Sequence, residues 1–332
     1  MRTLRIGILG FGYTGRLHLE AWRQTAGVEV VAIGEPSPEA RSQVPPGIQA
    51  CASCEELLSL GLDAVSVCVP TGLHHAVTIA ALTAGTDVLL EKPIAVNFEQ
   101  ANEMIAAAAR FGRTLFVGMT HRFYPEILAA RRLVDEGAIG KIVLIRDSIL
   151  EHFGFLNCPR WYLDPEAAGG GIVLTSGIHL ADRVMWFAGE VPEWVAGAGG
   201  NPFLQQPVED CAQMLLRFPS GRSAQLTLGF LAEPHPLVCD LELVGTRGSI
   251  VVHTWSGYEL RTAAGTEQVR TYDQEPHTVK VLAGLRGEIA EFCAAIREGR
   301  APRPSVEEST VAMKVVDAFY RSLRSGSMER LA

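Results

Sequence analysis

The stretch Ile6-Gly7-Ile8-Leu9-Gly10-Phe11-Gly12-Tyr13-Thr14-Gly15 decides the fold. Leu4 to Leu9 read as a buried strand, and Arg16 to Arg23 continue as a helix. Between them Gly10 allows a tight turn, Gly12 lets a pyrophosphate approach the backbone, and Gly15 lets helix and strand pack closely. A phosphate there meets free helix amides at the positive end of the helix dipole. A second strand, Val28 to Ile33, leads to Glu35, whose carboxylate can accept hydrogen bonds from an adenosine ribose. Six residues of this pattern alone are weak evidence. Their place between a strand and a helix makes Gly10, Phe11, Gly12, Tyr13, Thr14, Gly15 and Glu35 the expected dinucleotide-binding residues.

Glu35 also bears on which dinucleotide is held. A 2′-phosphate at that position meets a carboxylate, and the nearest arginine is Arg41, beyond Pro36-Ser37-Pro38-Glu39. Repulsion of about 1–3 kcal/mol, roughly tenfold to a hundredfold in affinity, favours NAD over NADP.

Moving outward, strand–helix alternation continues and implies a parallel sheet. Ser53-Cys54-Glu55-Glu56 reads as a capping box. Cys51 and Cys54 have the spacing of a redox or zinc pair, but no second pair completes a zinc site, so they are expected to be structural. Ala64 to Val69 form a strand ending in Pro70-Thr71-Gly72-Leu73-His74. Val88 to Leu90 form the next, followed by Glu91-Lys92-Pro93, where proline stops the ladder. In an open parallel sheet the carboxyl ends of strands border the ligand crevice. A lysine there serves as acid or base if burial or a nearby cation lowers its pKa, although an isolated Glu-Lys pair is more often a solvated ion pair. Asn97 caps an alanine-rich helix that ends near Gly112, and Thr114 to Val117 add a strand.

After Phe123 the rhythm changes. A helix from Glu126 to Glu136 precedes a long strand, Lys141 to Leu150, and an irregular aromatic-rich segment runs to Gly169-Gly170-Gly171. Ile172 to Phe187 read as a helix bearing His179 and Asp182 on neighbouring turns. Strands at about 209–218, 222–231, 237–244 and 248–253 alternate apolar and polar residues, the mark of an antiparallel sheet with one covered face. Ser305 caps a last helix with an apolar stripe of Ala312, Val315, Val316, Phe319 and Leu323. The expected domains are 1–123, an α/β dinucleotide-binding domain of Rossmann type, and 124–332, an α+β domain with an open, mainly antiparallel sheet.

Composition sets the outer limits. The 332 residues are 48% apolar, ample for two cores, and the net charge of −8 argues against nucleic acid or an anionic membrane as partner. The chain enters a strand at once and has no apolar run of membrane-spanning length. Seven cysteines without framework spacing imply reduced thiols, and the expected location is the cytoplasm. His121, His152, His235, His253 and His277 show no ligand spacing and there is no HExxH arrangement, so no catalytic metal is expected.

Taken together, Gly10-x-Gly12-x-x-Gly15 with His18, Pro70-Thr71-x-x-His74, Glu91-Lys92-Pro93, Arg122-Phe123, the Gly169–Gly171 run, Gly177-x-His179-x-x-Asp182 and Gly245-Thr246-Arg247-Gly248 resemble the glucose–fructose oxidoreductase and inositol dehydrogenase (Gfo/Idh/MocA) family over nearly the whole chain. The resemblance implies an NAD(P)-dependent dehydrogenase acting on a sugar, cyclitol or related polyol. It implies catalytic positions at Lys92 and His179, a nicotinamide side formed by Pro70, Thr71, His74, Glu91, Lys92 and Arg122, and substrate contacts from Lys92, Trp161, Thr175, His179 and Asp182. Two departures bear on substrate. Thr175 stands where many members carry aspartate, and Trp161-Tyr162 where Trp-Arg is frequent. Other classes compatible with the fold are glycoside cleavage with transient hydride transfer and non-catalytic dinucleotide sensing; Lys92 argues against the sensor. The uncovered sheet face, commonly a subunit interface in the family, implies a homodimer or homotetramer. Nothing in the sequence names the sugar, the carbon oxidised or the physiological direction.

Overall fold

Six short strands are built from the apolar, β-branched runs of the first third: β1 (Leu4–Leu9), β2 (Val28–Gly34), β3 (Gln49–Cys51), β4 (Ala64–Val67), β5 (Asp87–Leu90) and β6 (Leu115–Val117). They form one parallel sheet in the order β3-β2-β1-β4-β5-β6. Strand order reverses between β1 and β4, which places a ligand crevice beyond their carboxyl ends. The computed structural model describes residues 2–153, 160–271 and 275–331; the aromatic-rich stretch expected after Leu150 lies partly outside them.

Helices α1 (Tyr13–Arg23), α2 (Pro38–Arg41), α3 (Cys54–Leu58), α4 (His74–Thr83) and α5 (Phe98–Phe111) connect these strands. Their ends follow local chemistry. Ser53 Oγ accepts the Glu56 amide at 3.2 Å, and Asn97 Oδ1 accepts that of Gln100 at 2.9 Å. Gly112 closes α5 at φ +60°, a conformation that favours glycine. Burial and the neighbouring glutamates push the Cys51 and Cys54 thiols up, so neither is an activated thiolate.

The chain divides into two compact units, Met1–Thr120 with Leu282–Thr310, and His121–Val281 with Val311–Ala332. The sequence division after Phe123 does not anticipate the return of 282–310 to the first unit. The cause is aromatic packing: Phe292 sits edge-on to Trp22 at 6.4 Å and stacked with Phe116 at 6.2 Å, all three fully buried.

The second unit is organised on a nine-stranded sheet. Its strands are β7 (Ile142–His152), β8 (Trp194–Gly200), β9 (Cys211–Arg217), β10 (Ser223–Leu231), β11 (Val238–Gly245), β12 (Gly248–His253), β13 (Gly257–Thr262), β14 (Gly265–Arg270) and β15 (Glu329–Arg330), in the order β14-β13-β12-β11-β7-β10-β9-β8-β15. Among the described residues of this sheet, only β7 and β10 pair in parallel. The unit also holds α6 (Pro125–Asp135), α7 (Pro165–Ala168) and α8 (Ile178–Ala188), the last entered through a π-helical turn at Val173–Gly177. Two C-terminal helices, α9 (His277–Glu298) and α10 (Val306–Ser325), contribute to both units.

Candidate active site

In the first unit the glycine loop leaves β1 under steric orders. Gly10 has φ +90°, and a Cβ there would come within 2.5 Å of the Cys68 carbonyl oxygen. A Cβ on Gly15 would lie 2.0 Å from the Gly10 carbonyl oxygen, whereas one on Gly12 would meet nothing within 4 Å. The outer two glycines are thus required by packing, and the middle one leaves open space for a phosphate to reach the backbone. Phe11 is buried with the Arg16 guanidinium 4.4 Å over its ring, while Tyr13 is exposed and Thr14 half-buried.

Glu35, beyond β2, grips this loop. Its carboxylate accepts the Phe11 amide at 2.8 Å and the Ser37 amide at 2.9 Å. The Arg41 guanidinium donates to the Glu35 and Pro36 carbonyls at 2.7 and 2.9 Å. The loop and Glu35 are therefore one assembled group.

The loop after β4 and the turn after β5 are tied by one histidine. His74, buried, has Nδ1 2.8 Å from the Pro93 carbonyl oxygen and Nε2 3.0 Å from that of Val69. Burial holds its pKa below the ordinary range against the opposite pull of those carbonyls and Glu91. Thr71 is buried at the start of the same turn, where the Leu73 amide donates to Pro70 at 2.8 Å.

Glu91 follows β5 directly, with half-buried Lys92 next to it. His18 Nε2 lies 2.8 Å from Glu91 Oε1, and His18 Nδ1 lies 3.2 Å from Ser66 Oγ, which accepts the Trp22 indole N–H at 2.7 Å. Burial works to raise the Glu91 pKa, but His18, Lys92 and His74 outweigh it and hold it below the usual carboxylate range. A carboxylate thus stands beside Lys92 at the crevice end of the sheet.

The second unit carries the other predicted residues. Arg122, expected at the cofactor, and Asp182, expected at the substrate, are bonded to each other. Arg122 Nε and Nη2 donate to the two carboxylate oxygens of Asp182, each at 2.7 Å, and the guanidinium lies 5.3 Å over Trp186. His179, in the first turn of α8, stacks on His121 with centroids 4.1 Å apart and planes 3° from parallel. His121 Nδ1 is 3.3 Å from Nη1 of Arg183, a fully buried residue paired with Asp147. His121, which directly precedes the quoted Arg122-Phe123, was not among the residues expected at the site.

Thr175 is buried in the π-helical turn and donates its hydroxyl proton to the Gly171 carbonyl at 2.9 Å. Such turns mark functional segments of helices. The glycine run beside it is explained by packing: a Cβ on Gly171 would sit 1.9 Å from the Glu209 carbonyl oxygen. Glu209 accepts the Gly171 and Val173 amides at 3.0 Å and the Tyr320 hydroxyl at 2.9 Å. Trp161 is half-buried, its ring 4.1 Å from that of Tyr162.

Comparison with known proteins agrees with this geometry. Residues 4–119 match the oxidoreductase family with an NAD-binding Rossmann fold, and residues 127–251 match the GFO/IDH/MocA C-terminal domain. The chain is 32% identical over 332 residues to a 1,5-anhydro-D-fructose reductase from Ensifer adhaerens, covering 97% of each chain. It is 25% identical to an inositol 2-dehydrogenase from Rhizobium meliloti, again over 97% of each. A levoglucosan dehydrogenase in complex with NADH and levoglucosan shares the fold, with TM-score 0.89 over 100% of both chains at 22% identity.

Proposed function

The chain belongs to the GFO/IDH/MocA family of NAD-binding oxidoreductases, and from that premise we propose that it moves a hydride between NAD(H) and the carbon of a secondary alcohol on a sugar, cyclitol or sugar derivative. The observation that carries the reading is Lys92, half-buried beside the Glu91 carboxylate at the carboxyl end of β5. Oxidising an alcohol removes a hydride from carbon and a proton from oxygen, so a base must reach the hydroxyl. The nicotinamide, when bound, supplies the hydride acceptor. Lys92 takes the proton, and His179, held flat against His121, binds a substrate hydroxyl. The Glu35 carboxylate, with Arg41 turned onto backbone carbonyls, favours NAD over NADP.

Incubating the pure protein with NAD and a panel of polyols, and following cofactor absorbance, tests the reading. Net cofactor reduction with at least one polyol is expected; release of free sugar without reduction would sink it. Lys92→Met should still bind NAD through the glycine loop and Glu35 yet lose about a hundredfold or more in turnover. His179→Ala should lose less in rate and more in apparent substrate affinity. Turnover of Lys92→Met within a few-fold of the parent protein would remove lysine from the mechanism.

The reading extends to setting. A homodimer or homotetramer joined through the open face of the nine-stranded sheet is part of it. So is a cytoplasmic location, supported by six described cysteines that are all free. No helix among the described residues is long and apolar enough to cross a membrane.

A further inference from the structure

Near Glu91 lies a buried acid that takes no part in the proposed chemistry. Glu288, on the part of α9 belonging to the first unit, is fully buried. Its Oε2 accepts the Thr120 hydroxyl at 2.9 Å, while Oε1 is buried with no hydrogen-bond partner among the described residues. Donor atoms of His18, Glu91 and Glu288 all lie within 4.8 Å of one another. Gly118 keeps this place open, since a Cβ there would come within 3.1 Å of Glu288 Oε1.

Two carboxylates whose oxygens lie within 4.8 Å of each other, one of them fully buried, resist ionising together. The hydrogen-bond chain decides which one keeps the charge. In the tautomer that serves Glu91, Ser66 Oγ, which accepts the Trp22 N–H, donates its own proton to His18 Nδ1. His18 then carries its proton on Nε2 and donates it to Glu91. Glu91 is thus served as a carboxylate from one side and by Lys92 from the other, whereas Glu288 receives one neutral hydroxyl.

We propose that Glu91 and Glu288 together hold a single negative charge, with the proton on Glu288 Oε1, so that Glu288 is a positioning residue that fixes the charge beside Lys92. The inference deepens the dehydrogenase reading and rests on it for the role given to Lys92. Burial first, and Glu91 second, push the Glu288 carboxyl well above the ordinary range against the Thr120 hydrogen bond. The titratable groups around the pair are His18 on α1, Cys68 after β4, His74 on α4, and Glu91 and Lys92 after β5. Burial and both glutamates keep Cys68 a thiol. A tetrahedral zinc ion is the competing occupant. Yet His18 Nε2 and Glu91 Oε1 are at hydrogen-bonding distance, 2.8 Å, closer than the roughly 3.3 Å between two ligands of a tetrahedral zinc with bonds of about 2.0–2.1 Å.

Once Glu288 ionises, a second negative charge near Glu91 makes Lys92 hold its own proton more tightly. Glu288→Gln keeps the size and the Thr120 contact but cannot ionise. Two measurements on the ligand-free protein test this without any turnover. The infrared difference spectrum of the parent protein minus Glu288→Gln at neutral pH should contain the C=O stretch of a protonated carboxylic acid. Titration of Lys92, read by NMR after 13C-dimethylation and assigned with Lys92→Met, should move to lower pH in Glu288→Gln. Thr120→Val, which removes only the hydroxyl donor, should move it the same way by less and serves if Glu288→Gln does not fold. The alkaline-going limb of kcat/KM with an accepted polyol should follow the same shift. A carboxylate-only infrared difference overturns the proposal. A zinc-dependent rise in Tm abolished by Glu288→Gln also overturns it, because an ion would then occupy the pair. Absence of any polyol turnover would overturn the dehydrogenase reading while leaving the two ligand-free measurements to decide on the proton.

Discussion

Glu35 joins the loop that must hold phosphates to the end of β2, because one carboxylate accepts amides from Phe11 and Ser37. Glu35→Ala removes a charged acceptor and unties Phe11, a loss of about 1.5–3 kcal/mol by the usual worth of a charge-assisted hydrogen bond. Calorimetry should therefore show NAD affinity weakened at least about tenfold and the margin over NADP narrowed; unchanged affinity for both cofactors would deny Glu35 its role. Glu288 makes a different demand, on pH. Its carboxyl is raised in the folded protein and ordinary in the unfolded chain, so the folded state binds more protons between those two values. The stability it contributes is complete below the ordinary carboxylate pKa and is lost as pH rises toward the folded value, by about 1.4 kcal/mol per unit. Relative to Glu288→Gln, the parent protein should lose stability as pH climbs above about 4.5. Parallel stability curves for the two would contradict the raised carboxyl. These two residues also divide what was legible. Glu35 could be read because its meaning is local, a set distance beyond a strand and a glycine loop. Glu288 could not, because its partner Glu91 is distant in sequence and a glutamate on an amphipathic helix looks like any solvated one.

At the scale of elements, β7 and α8 are locked by Arg183 and Asp147, both side chains fully buried and joined through both ends of the guanidinium fork. Burial lifts the Asp147 pKa to about 6 in spite of Arg183. Asp147→Asn keeps the volume and leaves the guanidinium charge buried, and should cost about 3–5 kcal/mol in denaturant unfolding. The exposed pair Arg131–Asp135 on α6 is the control, where Asp135→Asn should cost under about 1 kcal/mol. Equal losses would mean that the buried charge is compensated elsewhere. Strands β9, β10, β11 and β12 were legible from alternation, with Ala212, Met214 and Leu216 inward and Gln213 and Arg217 outward. Strand β8 was not, since Trp194-Val195-Ala196-Gly197-Ala198-Gly199-Gly200 carries three glycines, which weaken strand propensity. Its glycines answer to tertiary neighbours instead: a Cβ on Gly197 would lie 2.3 Å from the Phe319 ring. Strand β14 is nearly all exposed and shows no pattern to read. The π-helical turn holding Thr175 was read as plain helix.

At the scale of the molecule, one face of the large sheet carries exposed and half-buried side chains that form mixed rows. One row runs Leu215, Gln225, Arg146, Glu242 and Val251 across five adjacent strands. Leu215 is 49% exposed, and Arg146 and Glu242 form an ion pair. A surface of apolar residues set among paired charges suits a self-complementary interface, in which each residue meets its counterpart across a twofold axis. A lone exposed leucine needs no explanation, but a row of this kind spread over a broad flat face is what a second copy of the chain can cover. Light scattering at micromolar concentration should therefore give the mass of two or four chains. Leu215→Arg would place like charges opposite each other near the twofold axis, at the cost of desolvating both, and should shift the protein toward monomer with its Tm little changed at low concentration. Raising the protein concentration or the salt should partly restore the oligomer, since screening weakens repulsion between exposed charges. A parent protein that is monomeric across this range would remove the sheet face as an interface, and an oligomer indifferent to Leu215→Arg would move the contact to another surface.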